Sequence, residues 1–425
     1  MILRNLTFQV FLAALLGIGI ALSLGDNLTT DNSFYQFVLL LKSTFLSVLR
    51  MLIAPLIFFS LIGGIIGIGS VIKLQRMGAV TFAYYFSTTL IAIGLGLIAV
   101  FFIHPWTSYP PSIGVVGEFS TSRMIDPGSD SIILVLQKVL SLAFSNPVSA
   151  LANLNILGIV TNALFIGIAM VLILPTDSPL FTIVRQINDV IVTILRWVIR
   201  LMPIGIFAIL LDFTLQLDMA NGGSQNFLTQ LIQFSLLVFV LTIIHGLVIL
   251  PCIAWLITGK PPLLLMRQIS QPLIVAFSTS SSSATLPVSM QACEEQLQIK
   301  RSVSSFVLPL GATMNMDGTA LFEAVAAIFL AYLYGIELTT VAVFTVFLMA
   351  MVSSIGAPGM PSASMAGMQM VLLAVGIPLE AIAILLVIER PLDTFRTAVN
   401  VEGDIIGALI VQRLTADESE NLGSV

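Results

Sequence analysis

The chain has 425 residues, 57% apolar and only 9% charged, with a mean hydropathy of +1.06 and a formal net charge of −5. A composition so poor in surface charge excludes a soluble domain and predicts an all-α polytopic membrane protein, since long apolar runs are not the alternating ten-residue pattern of a barrel. No basic block suggests nucleic acid, and the two distant cysteines, Cys252 and Cys293, support neither a disulfide framework nor a metal site.

The first apolar run, about Leu6 to Leu24, follows MILRNLTF and lacks a small-residue cleavage pattern, so it reads as a retained first span. A long second segment, about 34–70, predicts a tilted crossing, and its Lys42 and Arg50 are expected to snorkel or to pack against protein. The basic link VIKLQRMG leads to a third span, about 77–104, containing AYYFSTT. Residues 104–130, rich in Pro, Gly and Ser, read as an extramembrane loop. Apolar runs within 131–174, broken by SNP and NLN, predict a fourth segment in pieces. A fifth span, about 181–216, carries Arg196 and Arg200 at its expected cytoplasmic end, and a sixth covers about 227–257. The terminal DESENLGSV reads as a solvated tail.

With the spans alternating in this way, Arg4, Lys73, Arg76, Arg185, Lys260, Arg267, Lys300, Arg301 and Arg413 share one side, against Arg123 on the other. The positive-inside rule then places both termini in the cytoplasm.

After Pro261 the pattern changes. Residues 262–292 and 336–372 each hold two short apolar arms around a small, polar tip, FSTSSSSATLP and SSIGAPGMPSAS. Neither arm is long enough to cross about 30 Å. Two re-entrant hairpins are expected, and paired interrupted segments of this kind mark a transporter's midplane site between inverted repeats.

The costliest stretch is the last apolar segment, which holds Glu389, Arg390, Asp393, Arg396, Glu402 and Asp404. On a helix turning about 100° per residue, Glu389, Asp393, Arg396, Asn400 and Asp404 share a sector of about 80°. A charge at the bilayer centre costs roughly 3 kcal/mol, so this stripe should line a site. A second constellation, GATMNMDGTALFEAV, sets Asn315, Asp317 and Thr319 beside Gly311 and Gly318, where local unwinding would expose carbonyls suited to Na⁺. The alternative is a polar seam that glues helices. Such a seam favours Ser, Thr and Asn, whereas Asp317 and Asp404 are expected to stay unpaired without a cation. Glu323, six residues past Asp317, is a candidate proton carrier, because burial penalises its charged form.

Enzyme chemistry finds no support. The run Ser280–Ser283 lacks a base, since neither His104 nor His245 sits in a motif that activates serine. His245 reads as a packed helix histidine. Tyr85 and Thr88 share a helical face and join the candidate cation ligands.

The motifs STSSSSATLP, LPLGATMNMDGTALFEAVAAIFLA, SSIGAPGMPSA and DTFRTAVNVEGD resemble, in this order, those of the excitatory amino-acid transporter or dicarboxylate/amino acid:cation symporter family. The resemblance covers essentially the whole chain. It implies eight transmembrane helices plus two re-entrant helical hairpins, a homotrimer in the lipid bilayer, and an elevator-type transporter. Residues 1–70 and 105–217 would form the scaffold, 71–104 and 218–415 the moving transport domain, and 416–425 a cytoplasmic tail.

Position by position, the resemblance implies that Asp393 binds the substrate's α-ammonium and Arg396 its side-chain carboxylate. Thr397, Asn400, Thr319, Ser281, Ser282, Gly359 and Met360 would complete that site. Na⁺ would bind at Gly311, Asn315, Asn400 and Asp404, at Tyr85, Thr88, Thr89, Asn315 and Asp317, and at Thr313, Ser354, Ile355 and Ala357. Glu323 matches members that couple to H⁺, some of which return K⁺. An arginine that members carry at the position of Ser280 or Thr394 is absent here, Arg390 is the expected substitute, and Glu389 stands where aspartate is usual. Having both Asp393 and Arg396 favours L-aspartate or L-glutamate over a C4-dicarboxylate or a neutral amino acid, and an anion channel is the rival from another class. Short loops place the chain in a prokaryotic plasma (inner) membrane.

Overall fold

The computed structural model describes residues 6–24, 32–73, 75–103, 137, 140, 141, 143–216, 223–336, 338–356, 364–378 and 381–415, and every regular element among them is a helix. The first three are α1 (Leu6–Leu24), α2 (Ser33–Lys73) and α3 (Gln75–Ile103). The fourth apolar region is in pieces, as SNP and NLN suggest. Asn146 Oδ1 caps α4 (Pro147–Ala152) by accepting from Val148 N at 2.9 Å and Ser149 N at 3.2 Å. Asn155 caps α5 (Ile156–Ile173) through Gly158 N. Each asparagine satisfies N–H groups that a helix start leaves free, and Pro147 sits where its missing N–H costs nothing.

The expected continuous fifth span is not continuous. It is split into α6 (Pro179–Arg200) and α7 (Met202–Gln216), which meet at a bend of 54°. Pro203 explains the break: it has no N–H for the Ile199 carbonyl and its ring would clash with it, so it is accommodated in the first turn of a new helix.

The sixth region runs as α8 (Gly223–Ile244), one π-helical turn at His245–Ile249, and α9 (Leu250–Thr258). Pro251 can neither donate to the carbonyl four residues back nor clear it sterically, and a widened turn relieves both problems. α10 (Pro262–Thr279) and α11 (Ser282–Glu295) then fold back on one another through Ser280 and Ser281, with Ser280 in the left-handed region at φ 49°. At 1.5 Å per residue these arms reach about 27 and about 21 Å, short of a bilayer core.

α12 (Arg301–Met314) stops and α13 (Asp317–Leu333) restarts after two non-helical residues, Asn315 and Met316, so the unwinding expected in GATMNMDGT is present. α14 (Thr340–Gly356) and α15 (Ser364–Val375) pack as the second pair of short arms. Their expected tip, 357–363, lies outside the described residues. α16 (Ile382–Leu414) closes the fold.

Three stretches among the described residues are long and apolar enough to cross a membrane by themselves: Arg76–Ile103, Phe227–Thr258 and Arg301–Leu333. The last is 94% buried in its most apolar window, which marks it as interior to the bundle rather than facing lipid. α1 lies along α7, and α2 packs on α5, α6 and α7. Around α16 gather α3 and α9 to α13, while α13 also packs on α14 and α15. α16 and the α12–α13 break thus meet at the centre of the second group.

Candidate functional site

The α16 stripe faces the bundle interior along its length: Glu389, Asp393, Arg396, Asn400 and Asp404 are all buried. Arg396 is its centre. Nη2 donates to Glu389 Oε1 at 2.7 Å, to Asp393 Oδ1 at 3.1 Å and to Ser364 Oγ of α15 at 3.1 Å. The guanidinium carbon stands 4.0 Å from the centroid of the Phe322 ring of α13. Charge-assisted bonds are worth about 1.5–3 kcal/mol each, enough together to offset the cost of burying the cation. Every one of those bonds falls on Nη2. Nε and Nη1 are buried without a partner. The guanidinium is therefore tethered through Nη2, while Nη1, the terminal nitrogen cis to Cδ, keeps unused charged donors for an anionic group.

The rest of the expected substrate residues lie around this group. Asn400 Oδ1 accepts from Gly318 N at 2.9 Å, and its Nδ2 donates to Thr319 Oγ1 at 3.3 Å, which docks the start of α13 onto α16. Thr397 is buried on the same helix. Phe277 near the end of α10 packs edge-on against Phe395 with centroids 5.0 Å apart, and this brings the first tip beside α16. At that tip Ser281 Oγ caps α11 by accepting from Ala284 N, and Ser282 is buried. Gly359 and Met360 lie outside the described residues.

The expected cation ligands converge at the α12–α13 break. Asn315 Nδ2 donates to Asp404 Oδ1 at 3.0 Å, and Thr88 Oγ1 lies 3.5 Å from Asn315 Oδ1. Thr89 Oγ1 donates to Asp317 Oδ1 at 2.6 Å, and Tyr85 Oη donates to the Val307 carbonyl at 2.9 Å. Gly311 makes this approach possible: a Cβ there would collide with Asp404 Oδ1 and Tyr85 Oη. The oxygens of Asp317, Asp404, Asn315 and the α3 hydroxyls form a hard, anionic donor set of the kind Na⁺ takes. Thr313 and Ser354 bond carbonyls of their own helices, Leu310 and Met351, while Ile355 is half-buried and Ala357 lies outside the described residues.

One expectation is overturned here. Asp317 and Asp404 do not stand unpaired in the absence of a cation. Beyond Thr89, Asp317 Oδ2 lies 3.1 Å from Nε2 of His245, both side chains fully buried, and Asp404 has Asn315. His245 is accordingly more than a packed helix histidine. The π turn carries it, and its partner lies 72 residues away in sequence, beyond the reach of any local pattern.

Glu323 is fully buried one turn along α13 from Thr319. Its Oε1 accepts from Ser353 Oγ of α14 at 2.9 Å, and its Oε2 has no partner. Gly367 of α15 closes over this pair so tightly that a Cβ would overlap both Ser353 Oγ and Glu323 Oε1. Arg390, the expected substitute for the missing arginine, stands outside the Arg396 network with its Nε buried and unpartnered. Glu402 lies on the opposite side of α16 from the stripe, buried, 3.2 Å from where a Cβ on Gly246 would stand. Sequence spacing separates Glu402 from the stripe but gives no hint that the π turn is what it meets.

Sequence comparison agrees with this geometry. Residues 6–414 match the sodium:dicarboxylate symporter family. The chain is 31% identical to a putative sodium-dependent excitatory amino acid transporter of Caenorhabditis elegans, over 97% of this chain and 90% of that protein. It is 32% identical to the neutral amino acid transporter B(0) of Oryctolagus cuniculus, over 89% of this chain and 74% of that protein. It is 32% identical to human excitatory amino acid transporter 2, over 88% and 73%. The match spans both the charged stripe of α16 and the broken α12–α13 helix, and the chain belongs to the sodium:dicarboxylate symporter family.

Proposed function

We propose that this chain is a secondary-active symporter of acidic amino acids, L-aspartate or L-glutamate, driven by Na⁺. The carrying observation is Arg396, buried and tethered through Nη2 alone, with Asp393 3.1 Å away. The unpartnered Nη1 donors suit a side-chain carboxylate, and Asp393 suits an α-ammonium. Relatives include transporters named for excitatory and for neutral amino acids. A neutral substrate would have no use for the unpartnered donors of Arg396, and a C4-dicarboxylate would bring no cation to Asp393.

In this reading Na⁺ is carried with the substrate. It binds where Asp317, Asn315 and Asp404 meet, and so fixes the α12–α13 break beside Thr319 and Asn400. Substrate then binds well only to the ion-loaded protein, a positive coupling free energy between the two sites. The α14–α15 hairpin closes over it from the extracellular side. The group comprising 71–104 and 218–415 moves past a homotrimeric scaffold of 1–70 and 105–217, in a plasma (inner) membrane with both termini cytoplasmic. Glu323 carries a proton, and K⁺ returns the unloaded carrier.

The test is uptake of labelled L-aspartate into liposomes holding the purified protein, with and without an inward Na⁺ gradient, for wild type and Arg396→Ser. Na⁺-driven accumulation, with the variant losing aspartate and gaining serine or alanine, is the expected result. Uptake of succinate but no amino acid would shift the reading to a dicarboxylate carrier. Substrate-independent current without accumulation would shift it to an anion channel.

A further inference from the structure

α6 combines a broad exposed apolar surface with four charged residues. α1, α5 and α8 contain no Asp, Glu, Lys or Arg, whereas α6 contains Arg185, Asp189, Arg196 and Arg200. At about 100° per residue its surface divides into three strips. Val184, Ile191 and Leu195 lie within about 40° of one another and are buried on the side that packs on α2. Ile183, Ile187, Val190 and Trp197 fall in a second sector of about 80° and are exposed, Val190 at 59% and Trp197 at 60%. The four charged residues fall in a third sector of about 60°, on the far side of the buried strip, and all are exposed. None of the three arginines has an ion-pair partner among the described residues, and only Asp189 offsets them.

An exposed apolar strip alone would face acyl chains, and an exposed charged strip alone would face water. A helix that shows both, and that breaks from the apolar α7 at 54°, fits the boundary between the two. Tryptophan concentrates at that boundary, and arginine pairs with phosphate oxygens through its planar fork. We propose that the exposed side of α6 is a membrane-interface surface for anionic phospholipid, with Arg185, Arg196 and Arg200 taking phosphate headgroups and the Ile183–Trp197 strip taking the adjoining acyl chains. Each basic residue near an anionic leaflet favours the lipid by about fivefold, so three arginines against one aspartate give selection well above parity with neutral lipid.

Trp197 reads this directly. With Trp106→Phe and Trp255→Phe it becomes the only tryptophan of the chain. The full-length protein is placed in phosphatidylcholine vesicles containing, at equal mole fraction, either brominated phosphatidylglycerol or brominated phosphatidylcholine, and Trp197 quenching is compared. Stronger quenching by the glycerol lipid is expected, falling to parity in Arg185→Gln/Arg196→Gln/Arg200→Gln and at high salt. Should that triple variant fail to fold, the salt titration of the arginine-bearing protein reads the same contact. Equal quenching by both lipids would overturn headgroup recognition. Quenching by neither would overturn the proposal altogether and show the face covered by protein, a second copy of the chain included.

Discussion

Arg396 Nη2 lies 2.7 Å from Glu389 Oε1, two helical turns back along α16, and both side chains are 1% exposed. With Asp393 also within 3.1 Å, one buried cation faces two carboxylates. Removing only the cation should then be worse than removing cation and anion together. Arg396→Met is expected to lower stability by about 3 kcal/mol or more, because it strands buried acids. Arg396→Met/Glu389→Gln should recover at least about 1 kcal/mol of that, a coupling typical of residues in one network. Thermal unfolding in detergent of the two singles and the double measures it. Additive losses would mean that Glu389 does not hold Arg396.

Glu323 is held by Ser353 at one oxygen and has no partner at the other, with Gly367 packed over both. Glu323→Gln keeps a carbonyl to accept from Ser353 and removes the exchangeable proton. The variant should fold, retain Na⁺-dependent uptake or exchange, and lose most of the wild type's pH dependence of net transport. Uptake measured across a pH series at fixed Na⁺ checks this. A profile unchanged from wild type would remove Glu323 from the proton pathway.

What was legible in the sequence was whatever a single helix or a single break carries. The α16 stripe needs only a period of 3.6 residues and the cost of charge in lipid, and the residues it names are buried together. The Asn315–Met316 break follows from glycine and polar residues in an apolar run, and the first hairpin follows from arms too short to span. Contacts between elements were not legible. His245 and Asp317 are 72 residues apart, Lys42 and Asp212 are 170 apart, and no local pattern pairs them. The expectation of unpaired aspartates failed for the same reason. A carboxylate's neighbours along its own helix say nothing about the hydroxyl or imidazole that another helix brings. The split of the fifth span was not legible because the apolar run PIGIFAILL, from Pro203 onward, reads as a continuation of the same span.

Under the proposed Na⁺ coupling, the His245–Asp317 contact bears on cation affinity. Thr89 and His245 hold one oxygen each of the Asp317 carboxylate and so fix its orientation. A hydrogen bond to a charged group is worth about 1.5–3 kcal/mol. His245→Leu should therefore raise the Na⁺ concentration for half-maximal uptake by about tenfold or more, whereas His245→Gln, which keeps a donor, should raise it less. Na⁺ titrations of aspartate uptake compare the two. An equal loss in both variants would point to packing around the π turn rather than to the bond.

Far from this site, Asp212 of α7 is 1% exposed and accepts from Lys42 Nζ of α2 at 2.6 Å and from the Tyr35 hydroxyl. Lys42 was expected to snorkel or to pack against protein, and it does the second while keeping 22% of its side chain exposed. The exposure makes the pair asymmetric. If Asp212 is replaced by Asn, the amide still accepts from Tyr35, and the Lys42 ammonium can swing outward on its flexible stem. If Lys42 is replaced by Met, the carboxylate stays buried and loses the cation that neutralises it. Lys42→Met should therefore cost about 3 kcal/mol, in the range for stranding a buried charge, and Asp212→Asn about 1 kcal/mol. Tyr35→Phe in the Lys42→Met background should lower stability again, because it removes a further donor to the buried carboxylate. Thermal unfolding of the four proteins tests the order. If Asp212→Asn proves the more damaging of the two singles, then the carboxylate's negative charge, and not relief of its burial, is what binds α7 to α2.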